Sequence, residues 1–336
     1  MWEKAGEIMI ITKTPFRISF AGGGSDMADF YREYGGCVLS TSINRYMYLS
    51  LHPYFDSKKT ALKYSQTEIV DHLSDIKHTI FRCVLNDKKI KGVEICSTAD
   101  VPSGTGLGSS SAFTVGLLHT LYCYQGKYMS KAKLAEEACN VEIEKIGNPI
   151  GKQDQYAASF GGLNFIRFHQ DDTVSVEPLI TKAETIRRLQ NDLVMFYTGI
   201  THDANKILAE QKKNISQADK TRDLIQMCRL AKDMKHSLEN NDLSDFGQIL
   251  HEGWQRKREL ARGISMPKID ELYETAMEYG AEGGKILGAG GGGFLLFYCP
   301  KEKQECLRNK LRLNTFPFSF EHDGSSVVYI GDKYWD

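Results

Sequence analysis

Val101 to Ala112 reads VPSGTGLGSSSA, three glycines and four serines in a dozen residues. The chain that follows repeats apolar side chains at three- and four-residue spacing through Phe113, Leu117, Leu118 and Leu121. That spacing predicts an amphipathic helix from Ser109 to about Gln125, so the bare backbone must feed a helix N-terminus. The first N–H groups of a helix have no partner within it and carry the positive end of its dipole, and glycines let a ligand approach them closely. Ser103 to Ser111 therefore reads as an anion-binding loop, the alternative being a glycine-rich turn that only caps a core helix. No Gly-Lys-Ser/Thr follows the glycines, which excludes a Walker loop, and Gly104, Gly106 and Gly108 do not complete GxGxxG.

The rest of the chain sets this loop among alternating strands and helices. PFRISF places Phe16, Ile18 and Phe20 on one face and Arg17 and Ser19 on the other, the pattern of a half-buried strand, and NRYMYLSL, GVEICST and LNFIRF read the same way. A second helix runs from Ser130, a suitable N-cap, to about Ile146 before a Gly-Asn-Pro breaker. Its Ala135, Ala138, Cys139 and Ile146 share a face with Glu142, while Glu144 falls on the polar side. The least patterned stretch, Thr181 to Asn191, is the expected linker, dividing residues 1–185 from residues 186–336. The second half is mostly helical, with Leu224 to Leu238 and Pro267 to Tyr279 as its clearest helices, the latter closed by Gly280. LVMFYTG, GGFLLFYC and SSVVYIG are its strands. Both halves mix strand and helix, so the expected class is α+β, two layers facing one cleft.

Composition narrows the partners. The 336 residues carry 42 Lys plus Arg against 43 Asp plus Glu, a formal net charge of -1, so no global field attracts nucleic acid or an anionic membrane. Any phosphate site must be local. No run is long and apolar enough to span a bilayer, and the eight cysteines show neither CxxC nor zinc-type spacing. They read as free thiols in a reducing cytoplasm. Met9 opens MIITKTPF, so the first eight residues are read as an upstream extension outside the site. The oligomeric state is left open.

Two more glycine-rich loops join the first: SFAGGGSD, Ser19 to Asp26, at the end of a strand, and GAGGGGF, Gly288 to Phe294. The last holds a literal GxGxxG at Gly288, Gly290 and Gly293, yet a strand-like FLLFY follows where a dinucleotide fold needs a helix. In order, TPFRISFAGGGSD, PSGTGLGSSSA and GAGGGGF resemble the three signatures of the GHMP small-molecule kinases, and they spread over nearly the whole chain. The resemblance implies an N-terminal domain like ribosomal protein S5 domain 2, a ferredoxin-like C-terminal domain, and ATP in the cleft between them. A fourth stretch, GNPIGKQDQYAASFGGLNF, Gly147 to Phe165, resembles the form in bacterial D-glycero-D-manno-heptose 7-phosphate kinases and, more distantly, in fucokinases.

On the family pattern Asp154 faces the substrate hydroxyl as proton acceptor and Arg17 faces the transferred phosphate, with Lys152 a further candidate cation. Pro102, Ser103, Gly104, Gly106, Leu107, Gly108, Ser109, Ser110 and Ser111 correspond to the ATP loop. Ser110 and Glu142 match the family's Mg²⁺ pair, a hydroxyl and a carboxylate of the hard-oxygen type that ion prefers. Gly23, Gly24, Ser25 and Asp26, with Gly290, Gly291 and Gly292, are assigned to the substrate. Where sugar-phosphorylating relatives carry a Glu-His pair before the aspartate, this chain has Gly23 and Gly24, which makes room for a larger or already phosphorylated sugar. The residues alone leave simpler roles open: a helix-capping carboxylate for Asp154, an outward strand arginine for Arg17, a buried salt bridge for Glu142, and a cleft-lining or merely polar His202.

The expected activity is ATP- and Mg²⁺-dependent phosphorylation of the anomeric O1 of D-glycero-D-manno-heptose 7-phosphate, giving the 1,7-bisphosphate for nucleotide-activated heptose. The rivals are another sugar-1-kinase of fucokinase type, a sensor that binds ATP and sugar without transfer, and a dinucleotide-dependent oxidoreductase using the Gly288 loop.

Overall fold

A computed structural model describes residues 8–201 and 204–331; His202 and the residues before Ile8 lie outside them. Its strands are β1 (Ile10–Ala21), β2 (Gly36–Pro53), β3 (Thr60–Lys63), β4 (Thr67–Val70), β5 (Val93–Ala99), β6 (Leu163–Phe168) and β7 (Val174–Pro178), then β8 (Leu193–Tyr197), β9 (Gly283–Ile286), β10 (Phe294–Tyr298), β11 (Asn314–Thr315), β12 (Phe320–Glu321) and β13 (Ser326–Ile330). The helices are α1 (Ala28–Tyr34), α2 (Thr79–Lys88), α3 (Ser109–Tyr124), α4 (Lys131–Cys139), α5 (Gln153–Phe160) and α6 (Ala183–Asp192), followed by α7 (Ala204–Asn214), α8 (Ala218–Glu239), α9 (Phe246–Glu259), α10 (Pro267–Glu278) and α11 (Gln304–Leu311).

A nine-stranded sheet runs β13-β1-β2-β5-β3-β4, with β12, β6 and β7 attached through β2. The long β2 is its spine: one edge pairs with β1 over most of its length, while the other pairs first with β6 and then with β5. A second sheet of four strands has the order β11-β8-β10-β9. Two expectations change here. The segment expected as a linker is helix α6, anchored by buried Leu189. The strand in SSVVYIG, expected with the second half, is β13, and it crosses back to pair with β1 of the first sheet. Such a pairing joins residues more than 300 positions apart and has no local signature in sequence.

Apolar side chains of both sheets form one continuous core. Phe20, at the end of β1, meets Phe246 of α9 edge to face with ring centroids 5.4 Å apart. Full burial of a phenylalanine of this kind contributes roughly 1.5–3 kcal/mol, so this contact helps fix one sheet against the other and thereby shapes the cleft between them. Helix α3 lies close over the first sheet because Gly116 offers no side chain: a Cβ there would come within 2.8 Å of Thr14 Oγ1 and 3.1 Å of Leu49. The expected half-buried β1 is in fact covered on both faces, and Arg17 and Ser19 are buried with it.

Candidate active site

One cleft of about 270 Å³ gathers the three glycine loops. Gly23, Gly24 and Asp26 line it from the end of β1, Gly104, Gly106, Gly108 and Ser109 to Ser111 from the start of α3, and Gly288, Gly290 and Gly292 from the β9–β10 connection. Helix α3 begins at Ser109, with Gly108 as N-cap at φ 76°, a left-handed conformation that favours glycine. A Cβ at Gly108 would also sit 3.2 Å from Asp154 Oδ2, so the bare residue brings the helix N-terminus against that carboxylate.

Asp154 occupies the first turn of α5 and makes no cap bond. Both its oxygens instead accept from Arg17, Nε to Oδ1 and Nη2 to Oδ2, each at 2.7 Å. Arg17 Nη1 donates to Gly106 O at 2.6 Å, and the Arg17 backbone N–H donates to Leu107 O. The guanidinium is therefore pinned to the anion loop and to the carboxylate at once, a bidentate geometry that fixes both groups. The outward-facing reading of Arg17 and the capping reading of Asp154 both fall.

Glu142 is fully buried, and among the described residues no basic side chain lies within ion-pair distance, so the salt-bridge alternative fails. Its oxygens accept from Ser110 Oγ and Gln155 Nε2, both at 2.7 Å. Burial pushes its carboxyl above the usual range, against the opposing hydrogen bonds from Ser110, Ser111 and Gln155. The helix that carries it widens to i→i+5 bonding over Asn140–Lys145, with the Ile146 N–H reaching Val141 O. A buried carboxylate beside a cleft-lining hydroxyl is a donor set that suits Mg²⁺.

Asp26 is held by the Gly24 and Gln153 backbone N–H groups and by Gln153 Nε2, at 2.8, 3.1 and 3.1 Å, and burial raises its carboxyl pKa. Gly151 packs so tightly on it that no Cβ would fit.

Several expected site residues are placed elsewhere. Lys152 turns away from the cleft, its ammonium on Asp172 O at 3.2 Å and over the Tyr31 ring at 4.8 Å. Ser25 is wholly buried and trades hydrogen bonds with Cys37, bracing the turn. Leu107 is core, Pro102 and Ser103 are exposed beside the loop, and Gly291 donates its N–H to Ile264 O; none of these four lines the cleft. The GxGxxG of Gly288 leads from strand β9 into strand β10, which removes the dinucleotide reading.

Two charged cleft residues escaped the sequence reading. Lys257 of α9 and Lys285 of β9 are buried and line the cleft. Lys257 had a signal: it follows Leu250 and Trp254 at helical spacing on the buried face.

The geometry has counterparts among known proteins. The family model for the GHMP kinases N-terminal domain matches residues 74–162, and that for the GHMP kinases C-terminal domain matches residues 234–315. A D-glycero-alpha-D-manno-heptose 7-phosphate kinase from Campylobacter jejuni is 32% identical over 94% of this chain and 97% of its own. The solved structure of a D-glycero-D-manno-heptose 1-phosphate kinase from Bacteroides thetaiotaomicron superposes with a TM-score of 0.78 at 26% identity, covering 96% of this chain and all of the other. That of a putative sugar kinase from Campylobacter jejuni does so with a TM-score of 0.76 at 28% identity, covering 95% and 98%. With its three loops meeting at one cleft and full-length relatives on both counts, this chain belongs to the GHMP kinases and is a phosphotransferase of that family.

Proposed function

We propose that the protein transfers the γ-phosphate of ATP to the anomeric O1 of D-glycero-D-manno-heptose 7-phosphate, giving the 1,7-bisphosphate. The observation that carries the transfer is the Arg17–Asp154 pair set against the N-terminus of α3. Phosphoryl transfer asks the protein for positioning and charge more than for covalent chemistry. The N–H groups at the start of α3 and the hydroxyls of Ser109 to Ser111 cradle the phosphate chain, with the helix dipole behind them. Asp154 spends one lone pair of each oxygen on Arg17, and the remaining lone pairs are free to orient the sugar hydroxyl and take its proton. Arg17 faces the phosphate as it leaves. Ser110 and Glu142 would hold a Mg²⁺, whose chemistry is to neutralise charge on the phosphate oxygens.

Two features support the heptose 7-phosphate acceptor. The relative from Campylobacter jejuni, which matches over 94% of this chain, is named as a D-glycero-alpha-D-manno-heptose 7-phosphate kinase. Gly23 and Gly24 add no side chain of their own to the wall beside Asp26, which suits an acceptor larger than a hexose. A panel of free and phosphorylated sugars, followed by ADP release, tests the assignment. Heptose 7-phosphate should lead, and equal or better kcat/KM with fucose or galactose would overturn it. The eight cysteines, all free thiols, and the absence of any helix long and apolar enough to cross a membrane among the described residues support action in the cytoplasm.

A further inference from the structure

Lys257 and Lys285 are only 6% and 7% exposed, and neither has a carboxylate within ion-pair distance among the described residues. Lys257 Nζ donates to Gln211 Oε1 at 2.8 Å, and Lys285 Nζ to the Ser19 and Phe20 carbonyls at 2.9 and 3.2 Å. All three acceptors are neutral. The charges felt at Lys257 are Asp26 and Arg17, and those at Lys285 are Lys257 and Arg17. Asp26 already takes three hydrogen bonds and Asp154 already faces Arg17, so neither carboxylate is committed to the lysines. Around them three further polar atoms are buried without a partner, the donors Ser19 Oγ and Gln211 Nε2 and the acceptor Gln153 Oε1. Gln211 Nε2 lies where a side chain at Gly24 would have been, and Ser19 Oγ is 3.6 Å from the Cβ position of Gly23.

Ser19, Lys257 and Lys285 line the cleft, with Gln211 buried against Lys257, and buried ammonium groups without a counter-charge are costly to keep. A tetrahedral dianion with three terminal oxygens would satisfy them. The nucleotide's phosphates already have a cradle at the start of α3, whereas these groups sit at the end of β1, behind the Gly22–Asp26 turn. We infer that Lys257, Lys285, Gln211 and Ser19 seat the phosphomonoester that the acceptor sugar already carries, and so set the preference for a phosphorylated over a free sugar. The inference rests on the sugar-phosphate reading above. It also accounts for Gly23 and Gly24, since side chains there would cover the orphaned donors.

Burial holds Lys285 down at about 7 and Lys257 at about 8. A phosphomonoester is a dianion at pH 8, so seating it against these amines draws protons onto them.

The experiment compares heptose 7-phosphate with the dephosphorylated heptose on the unmutated enzyme, on Lys257→Met and on Lys285→Met. In each variant the ratio of the two kcat/KM values should fall by roughly 10- to 100-fold, as expected for a lost hydrogen bond to a charged group, and the loss should appear in KM. Affinity for a non-hydrolysable ATP analogue should hold within a few fold. An unchanged ratio with weakened analogue binding overturns the inference and assigns the lysines to the triphosphate, leaving the sugar-phosphate reading intact. No preference in the unmutated enzyme overturns the sugar-phosphate reading itself. Calorimetry on the unmutated enzyme at pH 8, in two buffers of different ionisation enthalpy, needs no variant: heptose 7-phosphate should bind with proton uptake and the free heptose without it. Binding of heptose 7-phosphate without uptake overturns the inference.

Discussion

Replacing Asp154 by asparagine removes a charge and one acceptor from the pair with Arg17. Both bonds are 2.7 Å and the arginine side chain is only 5% exposed, so an asparagine amide must turn its NH₂ towards one guanidinium N–H. Breaking a buried ion pair by removing one partner costs about 3–5 kcal/mol. Because the Asp154 side chain keeps 23% of its surface exposed in the cleft, a cost below that range, about 2–3 kcal/mol, is expected. The kinetic effect is separate. A positioned general base contributes about 10²–10⁴-fold, so kcat should fall by that factor. Steady-state turnover with heptose 7-phosphate reads the second effect and denaturant unfolding reads the first, while titration with an ATP analogue should show affinity within a few fold. The double variant Arg17→Met, Asp154→Leu resolves the two: an apolar pair of similar volume should recover most of the stability and none of the turnover. If Asp154→Asn lowers kcat by less than about fivefold, the carboxylate takes no proton and transfer runs on positioning and charge alone.

Glu142→Gln should cut turnover sharply and shift the Mg²⁺ titration to higher concentration, while Glu144→Gln on the exposed side should leave both where they were; an unchanged metal titration would return Glu142 to a purely structural role. The pH dependence of stability follows from Lys285. Below about pH 7 the amine is protonated in both folded and unfolded chains and its burial is felt in full. Between about 7 and its ordinary value of 10.5 the folded chain has shed a proton that the unfolded chain keeps, so stability rises with pH across that window. Thermal melts of the ligand-free protein should therefore show a gain from pH 7 to 9 that is smaller in Lys285→Met, where only Lys257, held at about 8, still contributes.

Much of the site was legible because its parts are local. The glycine-serine loop, helix α3 behind it and the inward position of Glu142 each follow from spacing within one segment, and Ser130 caps its helix as expected, accepting from the Lys133 N–H. What escaped depends on direction or on distance. Lys152 neighbours Asp154 in sequence, yet at the start of α5 adjacent side chains diverge, and its ammonium goes to Asp172. The bidentate Arg17–Asp154 pair joins residues 137 positions apart. Lysine is normally a solvated residue, so only the apolar company of Lys257 on α9, and the short buried strand around Lys285, marked them as different. The return of β13 to β1 is set by sheet pairing and is invisible to any local window.

The account stands most directly on where the phosphate goes. A single reaction of the purified protein with ATP, Mg²⁺ and heptose 7-phosphate, followed by ³¹P NMR, should convert ATP to ADP in step with one new phosphate signal coupled to the anomeric proton, while the 7-phosphate signal persists. Binding of both substrates with no ADP formed, or a new phosphate on any other carbon of the sugar, would contradict it.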